Sequence, residues 1–334
     1  AETASDYQGK AHNERLTQVA AKGFLGKVYL TMAGFPLNDT AKKAEAQQLF
    51  KEVIDYATAR NKYWMADMDA WNQSWLHEND NKYAIFEIQY IAEAGQGNPM
   101  VTLTVPSNPG TDWCGNNLVT GTHVYIERGL QRHFIAKDEI TGEYIDKRAD
   151  GTLNLKETVD EDGNIVTSEG KTFYTKYFES KVKRAKFGMS DMDATIVERS
   201  YWPQNFQLLR IEDIMLLYAE CVGNTIEGRE LVNKIRRRAG LADLDINLSE
   251  EEFQKAVQDE RRYELAEEGV RWFDLVRRNE YVDTIKQMFI NDDDTENGTY
   301  RQYANRVNAD MYLYPIPQSQ IEVRKGLYTQ NKGY

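Results

Sequence analysis

The sequence has little cysteine, little histidine and no excess of positive charge. Its two cysteines, Cys114 and Cys221, form no CxxC pair and do not indicate a disulfide framework. The 41 basic residues are outnumbered by 53 acidic ones, and the net charge of −12 argues against a nucleic-acid-binding face. No run approaches the roughly 20 apolar residues that a membrane-spanning helix needs. The chain is therefore predicted to bind no nucleic acid.

The familiar motifs of enzymes and metal sites are missing as well. The sequence contains no HExxH, GxxxxGK[ST], GxGxxG or GxSxG. Its four histidines lie far apart, without the spacing of metal ligands. The acidic stretch 292–298, DDDTENG, partly resembles a calcium loop but lacks the closing glutamate at the twelfth position. No catalytic residue, metal or cofactor is therefore predicted.

The sequence does contain strong helical periodicity near its start. Apolar residues at helical spacing predict a first helix over residues 16–32 and a second over 41–57. The turn between them, GFPLNDT, places Asp39 or Thr40 where a cap for the second helix is expected. With 334 residues and 41% apolar composition, the chain is long enough for one large domain or two ordinary ones.

These two helices fit either a repeat or a simple antiparallel pair. The pattern L-G-x-x-Y from Leu25, followed by A-x-x-x-F from Ala46, resembles a tetratricopeptide repeat, although the connecting loop is longer than usual. Gly23 and Gly26 lower helix propensity in the first helix. Their expected compensation is a close helix–helix contact.

The middle of the chain, residues 61–205, lacks this periodicity. The alternating stretch 83–90 predicts a strand, and the stretches 98–106 and 171–178 predict two more. The turn sequence DEDGN predicts a hairpin. The stretch 108–117, NPGTDWCGNN, is dense in turn-forming residues and predicts a loop.

Amphipathic helices return in the last part of the chain. Apolar periodicity predicts helices over 208–221, 228–241 and 248–278. The third begins with a capping box, in which Ser249 is followed three positions later by Glu252. The tail contains YPIP, which predicts extended backbone because each proline biases its predecessor away from helix.

The stretch ERRYELAEEGVRWFDLVRR, residues 260–278, concentrates acids and arginines on about five helical turns. Opposite charges stand three or four positions apart, which makes them neighbours on a helix. The expected pairs are Glu267 with Arg271, Asp274 with Arg278, and Arg261 with Glu264. Because breaking a partly buried pair is costly, Arg271→Ala is expected to lower the melting temperature by several degrees without changing ligand affinity.

The alternative is an active site in which Glu264 and Glu268 act as an acid and a base, as in glycoside hydrolases. Arginines lie within one turn of both carboxylates, and they lower the pKa of a general acid below its useful range. The interpretation as a structural ion-pair helix is therefore favoured, and the chain is predicted not to be an enzyme.

The same stretch resembles the signature helix of the SusD/RagB family, the surface nutrient-binding lipoproteins of Bacteroidetes-type bacteria. The family pattern E-R-R-x-E-L-x-x-E-G-x-R-W-x-D-L-x-R is matched from Glu260 to Arg277. The tail is similar to the family's carboxy-terminal pattern of P-I-P and Q-N-x-G-Y, here at 315–317 and 330–334. The stretches LLRIEDIMLLYAE, LVNKIRRRAGL and AAKGFLGKVYL also resemble helices of the family.

The resemblance implies a mainly α fold, a tetratricopeptide-like helical scaffold with an irregular middle region containing short β-strands and hairpins. The predicted regions are a scaffold at 1–60, an irregular α/β ligand-binding region at 61–205 and a carboxy-terminal helical region at 206–334. The resemblance also implies a cell-surface lipoprotein of the outer membrane, with its signal and acylated cysteine upstream of this chain. The implied partners are a glycan ligand and a SusC-like TonB-dependent transporter.

Within the middle region, the loop 108–117 has the chemistry of a sugar-binding surface. Sugars present apolar faces and rings of hydroxyls, which proteins meet with an aromatic ring and short polar side chains. Trp113, flanked by Asp112, Asn116 and Asn117, offers that combination. The alternative for Trp113 is a core anchor that holds the loop in place.

Trp71 and Trp75 are a second candidate platform, since they lie four apart on one face of a predicted helix. Core packing is the more common role for tryptophans at that spacing. The predicted function is capture of an oligosaccharide or polysaccharide at the cell surface for import. Capture of a peptide by the same uptake system is the alternative, and an α-helical glycoside hydrolase is a less favoured third.

Overall fold

The computed structural model describes residues 16–334, apart from the segments 77–81, 106–125, 155–156, 160–164, 168–171, 180, 191–201, 292–298 and 325. The described chain is mainly helical, with its short strands between Ala84 and Arg210. The predicted fold class is thus confirmed. The predicted loop 108–117 and the acidic stretch 292–298 both lie outside the described residues.

The chain begins with two long antiparallel helices, α1 (Gln18–Ala33) and α2 (Lys42–Arg60). The Thr17 side chain caps α1 by accepting a hydrogen bond from the backbone N–H of Ala20. The predicted cap of α2 by Asp39 or Thr40 is wrong, because its N-cap residue, Ala41, is itself helical and makes no side-chain cap. The helices themselves follow the predicted spans closely.

Two glycines allow α1 to approach its neighbours. A Cβ atom on Gly26 would lie 2.6 Å from the Phe50 ring of α2, and one on Gly23 would lie 2.6 Å from Leu209 Cδ2. The expected close helix–helix contact is therefore confirmed at Gly26. At Gly23 the close neighbour is a side chain from the later part of the chain instead.

The middle part consists of short elements. Their bounds are α3 (Met68–Gln73), β1 (Ala84–Ile88), α4 (Met100–Thr104), α5 (Arg128–Ile135), α6 (Ala149–Thr152), β2 (Glu157–Val159), β3 (Ile165–Thr167) and α7 (Lys181–Lys186). β2 and β3 pair antiparallel, as the hairpin prediction requires. β1 confirms the strand predicted over 83–90 and pairs with a strand from the following region.

Two predicted strands in this part are wrong. The stretch 98–106 contains the helix α4, where Asn98 Oδ1 accepts from the N–H of Met100 and the Thr104 hydroxyl donates to the Met100 carbonyl. These local bonds satisfy the backbone as a helix, although the residue types favour a strand. The described part of the stretch 171–178, residues 172–178, forms an isolated bridge between Tyr174 and Leu153 before it turns.

The last part of the chain contains β4 and the remaining helices. Their bounds are β4 (Phe206–Arg210), α8 (Ile211–Val222), α9 (Ile226–Arg238), α10 (Glu250–Glu264), α11 (Arg271–Arg277), α12 (Tyr281–Asn291), α13 (Thr299–Ala304) and α14 (Gln318–Val323). The helix predicted over 208–221 starts later than expected, because Phe206–Arg210 pairs with β1. The predicted capping box of Ser249 and Glu252 is confirmed.

The main hydrophobic core lies among α1, α2, α8, α9 and α10. α8 is at its centre, and every residue from Ile211 to Glu220 is buried. A smaller core under the middle part contains Met65, Trp71, Trp75 and Tyr177. The extended YPIP segment is held by the tail, since the Gln330 amide bonds both the N–H and the carbonyl of Ile316.

Candidate functional site

The charged stretch 260–278 does not form the single helix that its periodicity predicts. α10 ends at Glu264, and α11 begins at Arg271. Between them, Glu267 and Gly269 have φ angles of +69° and +73°, in the left-handed region. Glycine adopts this conformation without steric cost, so the chain can turn there. The turn removes Glu267 from the helical register that would place it beside Arg271.

The predicted ion pairs within this stretch are therefore wrong. Glu267 does not pair with Arg271, Asp274 with Arg278, or Arg261 with Glu264. Arg261 instead binds Asp213 and Asp274, with its Nη1 2.7 Å from Asp213 Oδ1 and its Nε 2.9 Å from Asp274 Oδ2. Ion pairing is thus the right chemistry for the stretch, but most partners come from other elements, and the local pair is Asp274 with Arg277 on α11.

Glu264 is surrounded by positive charge in the interior. Its Oε1 accepts from Arg210 Nη1 at 2.7 Å, from Arg238 Nη2 at 2.5 Å and from Trp71 Nε1 at 3.2 Å. Its Oε2 accepts from Arg148 Nη1 at 2.9 Å. The residue is fully buried. Three arginines from three different elements therefore meet on one carboxylate.

Glu268, four residues after Glu264, belongs to the same cluster. Arg210 binds it with two parallel hydrogen bonds, Nε to Oε2 at 2.7 Å and Nη2 to Oε1 at 2.8 Å. Lys176 Nζ donates to the same Oε1 at 2.9 Å and lies 4.8 Å from the centroid of the Trp75 ring. This bidentate geometry is the strong form of an arginine–carboxylate pair.

Arg148 extends the cluster towards the surface. It binds Glu260 through Nη1 at 2.6 Å and Asp146 through Nε at 2.9 Å. Asp146 in turn lies 2.8 Å from Nε2 of His133, whose ring stacks on Tyr263. The cluster thus joins side chains of the predicted middle region to the carboxy-terminal helices.

A second group of charges holds α1, α8 and α11 together. Lys27 Nζ lies 2.7 Å from Asp213 Oδ2, and Arg277 Nη2 lies 2.7 Å from Glu220 Oε2. Although burial alone would raise the pKa of Asp213, Lys27 and Arg261 hold it below its usual range. Burial is likewise outweighed at Glu220, where Arg277 lowers the pKa to about 2.

These electrostatics support the structural interpretation of the signature stretch. Burial alone would raise the pKa of Glu264, but Arg238, Arg210 and Arg148 hold it well below its usual range. Such a carboxylate remains ionised at neutral pH and is a poor general acid. Its oxygens are also occupied by the protein's own donors.

Glu267 behaves differently from its neighbours. Burial raises the pKa of its carboxyl group to about 7. Its Oε2 accepts from the backbone N–H of Lys176 at 3.0 Å, while no hydrogen bond to its buried Oε1 is present in the described part of the chain. Glu267 therefore contributes less negative charge at neutral pH than the sequence suggests.

A cleft of about 990 Å³ opens between α10, the turn at 265–270 and α12. This volume is at the upper end of the range usual for small-molecule sites. Its lining includes Trp272 and a set of uncharged polar side chains. That set is Gln254, Gln258, Thr284, Gln287 and Asn291.

Of the sequence-predicted ligand residues the structure describes Trp71 and Trp75, and neither lines this cleft. Trp113, Asp112, Asn116 and Asn117 lie outside the described residues. The structure places Trp71 and Trp75 in the core, with exposures of 0% and 2%, so neither ring offers a surface for a ligand. Their rings contact each other edge-on at 5.7 Å between centroids, and Trp71 donates to Glu264.

The arginines and lysine that complete the Glu264 cluster were not marked by the sequence. Arg148 lies in a polar segment and Lys176 in an aromatic one, and neither segment has helical periodicity. Arg238 is the last of three consecutive arginines, which gives no indication of which one is buried. The stretch 260–278 carries five acids and five arginines, so its composition gives no sign that cations from elsewhere in the chain are needed.

The described residues contain neither a cluster of metal ligands nor a membrane-spanning helix. No group of three or more histidine, cysteine, aspartate or glutamate side chains there is placed to hold a metal ion. In the same ranges no helix has both the length and the apolar character needed to cross a membrane.

Comparison with known proteins gives one family and two curated relatives. The sequence model of the SusD family matches residues 33–334. SusD-like protein P38 of Formosa agariphila is 37% identical over 92 residues, which cover 24% of this chain and 18% of that protein. SusD-like protein P25 of the same organism is 29% identical over 139 residues, covering 38% of this chain and 24% of that protein.

Solved structures share the fold along nearly the whole chain. A SusD homolog from Bacteroides thetaiotaomicron has a TM-score of 0.71 at 20% identity, covering 98% of this chain and 66% of its own. Surface glycan-binding protein A from Bacteroides uniformis has a TM-score of 0.68 at 23% identity, covering 99% and 64%. The same-named protein from B. thetaiotaomicron, in complex with laminarihexaose, has a TM-score of 0.66 at 19% identity, covering 97% and 66%. This chain therefore spans about two thirds of these structures, and its alignments span less than a quarter of the curated relatives.

Proposed function

This chain belongs to the SusD family, and we propose that it captures a glycan at the bacterial cell surface for import. The chain would be held at the outer membrane as a lipoprotein and would pass its ligand to a SusC-like TonB-dependent transporter. It would bind without catalytic turnover. The sequence carries no enzyme motif, and the carboxylates of its signature stretch are engaged by arginines.

The observation that carries this proposal is the match of the family model across residues 33–334. It is supported by the shared fold of surface glycan-binding proteins, one of which is solved with laminarihexaose. Sequence identity to those structures is too low to transfer a ligand residue by residue. The ligand contacts must therefore be argued from this chain's own side chains.

We assign the first ligand contact to Trp113. Its neighbours Asp112, Asn116 and Asn117 supply short hydrogen-bonding groups of the kind that bind sugar hydroxyls. With Trp71 and Trp75 buried, Trp113 is the remaining tryptophan that the sequence analysis nominated as a platform. Its removal is the direct test of this loop.

Native affinity electrophoresis tests the proposal with a panel of soluble polysaccharides. Wild type, Trp113→Ala and Phe273→Ala are run side by side; Phe273 is an exposed ring on α11, at 66% exposure, and serves as the control for loss of an aromatic side chain. Retardation of wild type and Phe273→Ala by one glycan class, lost in Trp113→Ala, is the expected result. If Trp113→Ala is still retarded, glycan binding stands but the loop with Trp113 is not part of the binding site. No retardation by any glycan, with binding to extended peptides, would replace glycan capture by peptide capture.

A further inference from the structure

The cleft beside the turn at 265–270 contains one arginine, Arg271, that has no hydrogen-bond or ion-pair partner among the described residues. Four arginines line the cleft: Arg261, Arg262, Arg271 and Arg278. Arg261 binds Asp213 and Asp274, Arg262 binds Glu127, and Arg278 pairs with Glu220 and Glu280. Among the residues that the structure describes, Arg271 forms no hydrogen bond or ion pair.

This isolation has an electrostatic cost. Arg271 is partly buried, and burial together with the nearby charge of Arg262 lowers the pKa of its guanidinium group. A guanidinium remains charged in proteins, so Arg271 stays a partly buried cation. Its five N–H donors have no protein acceptor among the described residues. An anion entering the cleft would meet these donors and remove that cost.

No carboxylate of the cleft wall forms an ion pair with Arg271 among the described residues, although Asp274, Asp259 and Glu280 offset part of the fall in its pKa. Glu127, Asp259, Asp274 and Glu280 are each engaged by another cation. Glu267 is turned towards the backbone of Lys176. Two remaining acids, Glu251 and Asp283, lie exposed, where solvent screens their charge.

The rest of the lining suits a sugar. Trp272, next to Arg271, is partly buried and contacts the rings of Tyr281 and Tyr314, with centroids 5.9 Å and 6.3 Å away. The amides and hydroxyl of α10 and α12 supply further polar groups, with Gln254, Gln258 and Gln287 already donating to Glu250, Glu280 and Asn291. An aromatic ring, uncharged polar groups and a guanidinium fork that is unpaired within the described residues together fit a sugar that carries an oxyanion.

We propose that this cleft binds an acidic glycan, with Arg271 holding a carboxylate or sulfate group of the polymer. The planar fork of arginine binds either group with two parallel hydrogen bonds. The proposal rests on the proposed glycan-binding function and narrows it to a charged ligand class. It also reverses the role expected for Arg271, which the sequence predicts to be structural.

Titration calorimetry at physiological ionic strength tests the site with matched polymers. Polygalacturonate is compared with its fully methyl-esterified form, and dextran sulfate is compared with dextran. Since the protein carries a net charge of −12, its overall charge repels the acidic member of each pair. Binding to an acidic polymer is therefore evidence of a local site. The two pairs distinguish a carboxylate ligand from a sulfate ligand.

Three variants accompany wild type. Arg271→Gln removes the charge, Arg271→Lys keeps the charge but loses the fork, and Arg237→Gln removes an equal charge from an exposed pair on α9. Wild type and Arg237→Gln are expected to bind one acidic polymer and not its neutral counterpart. Arg271→Gln is expected to bind it roughly 10- to 100-fold more weakly, with Arg271→Lys in between. The melting temperature of Arg271→Gln is expected to stay within about 2 °C of wild type, because no ion pair is lost.

Each contrary outcome has a separate meaning. A fall of several degrees in the melting temperature of Arg271→Gln would make the residue structural and overturn the proposal. Equal affinity of wild type and Arg271→Gln for the acidic polymer would do the same. Binding of neutral glycans alone would overturn the acidic site and leave glycan capture standing. Binding of no polysaccharide at all would overturn both.

Discussion

At the scale of the single residue, Glu264 shows how this protein keeps a full negative charge in its interior. Three arginines and the Trp71 indole donate to it. Removing its charge leaves those arginines short of a counter-ion where water does not reach. Breaking such a buried arrangement costs roughly 3–5 kcal/mol, whereas an exposed pair is worth roughly 0–1 kcal/mol.

Glu264→Gln is therefore expected to lower the free energy of unfolding by about 3–5 kcal/mol. Glu230→Gln is the matched control, because Glu230 also binds an arginine, Arg237, but both side chains are about half exposed. The control is expected to cost less than about 1 kcal/mol. Urea unfolding followed by circular dichroism measures both. Equal losses in the two variants would mean that burial of the cluster contributes nothing.

The sequence predicted the chemistry of the signature stretch but not its geometry. Paired acids and arginines were expected, and they are present. The expected partners were wrong because the rule for neighbours on a helix assumes an unbroken helix, whereas α10 ends at Glu264 and the chain then turns through Glu267 and Gly269. The true partners, such as Arg148 and Arg210, lie far away in the chain, where no local pattern can identify them.

At the scale of the element, the contact between α1 and α2 depends on the absence of one side chain. A Cβ on Gly26 would overlap the Phe50 ring, which is itself fully buried. Gly26→Ala is expected to destabilise the protein by about 1–3 kcal/mol, although alanine is the better helix former. The midpoint of urea unfolding measures this loss.

A second substitution separates crowding from other causes. Phe50→Leu shortens the side chain that Gly26→Ala would overlap, so the double variant should lose less than the sum of the two single losses. Strict additivity would contradict the overlap. A gain in stability for Gly26→Ala alone would mean that the helices move apart at little cost.

Elements with a long, clear period were predictable, and short apolar stretches were not. The spans of α1, α2 and α9 follow their periodicity, and the Ser249 capping box marks the start of α10. The stretch 98–106 is rich in β-favouring residues, yet α4 forms there because Asn98 bonds the N–H of Met100. In such short elements a single side-chain hydrogen bond can favour helix over strand, and hydrophobic periodicity does not reveal that bond.

At the scale of the whole molecule, the buried carboxylates make stability depend on acidity. Asp213, Glu220 and Glu264 have pKa values below those of the unfolded chain. Their contribution is complete above about pH 4.5 and is lost as pH falls through their folded pKa values. Urea midpoints measured from pH 6 downwards are expected to drop steeply below about pH 4. A flat profile down to pH 2 would contradict the lowered pKa values.

Glu267 gives the opposite dependence at higher pH. Its pKa is raised to about 7, so its contribution is present below about pH 4.5 and is lost as pH rises through 7. Stability is thus expected to decline modestly between pH 5 and 8. Glu267→Gln should remove this decline and leave the loss of stability below about pH 4 unchanged. A decline that persists in the variant would have to come from another group.

The candidate site was the least predictable part of the whole. The loop with Trp113 was found from composition alone, and it stays a prediction. The cleft exists because the chain turns between Glu264 and Arg271, so it could not be inferred from a sequence interpreted as one helix. The division at 61 and 206 is likewise still a prediction.

The Glu264 cluster has a consequence for exchanging parts between relatives. Arg148 and Lys176 come from one side of any junction near residue 206, while Glu264 and Glu268 come from the other. A chimera joined near residue 206 is expected to fold only if the second half, taken from the other relative, has carboxylates at the positions that Arg148 and Lys176 contact. Exchanging loops between relatives therefore requires that the Glu264 cluster, with Arg148, Lys176 and Arg210, is kept from a single parent.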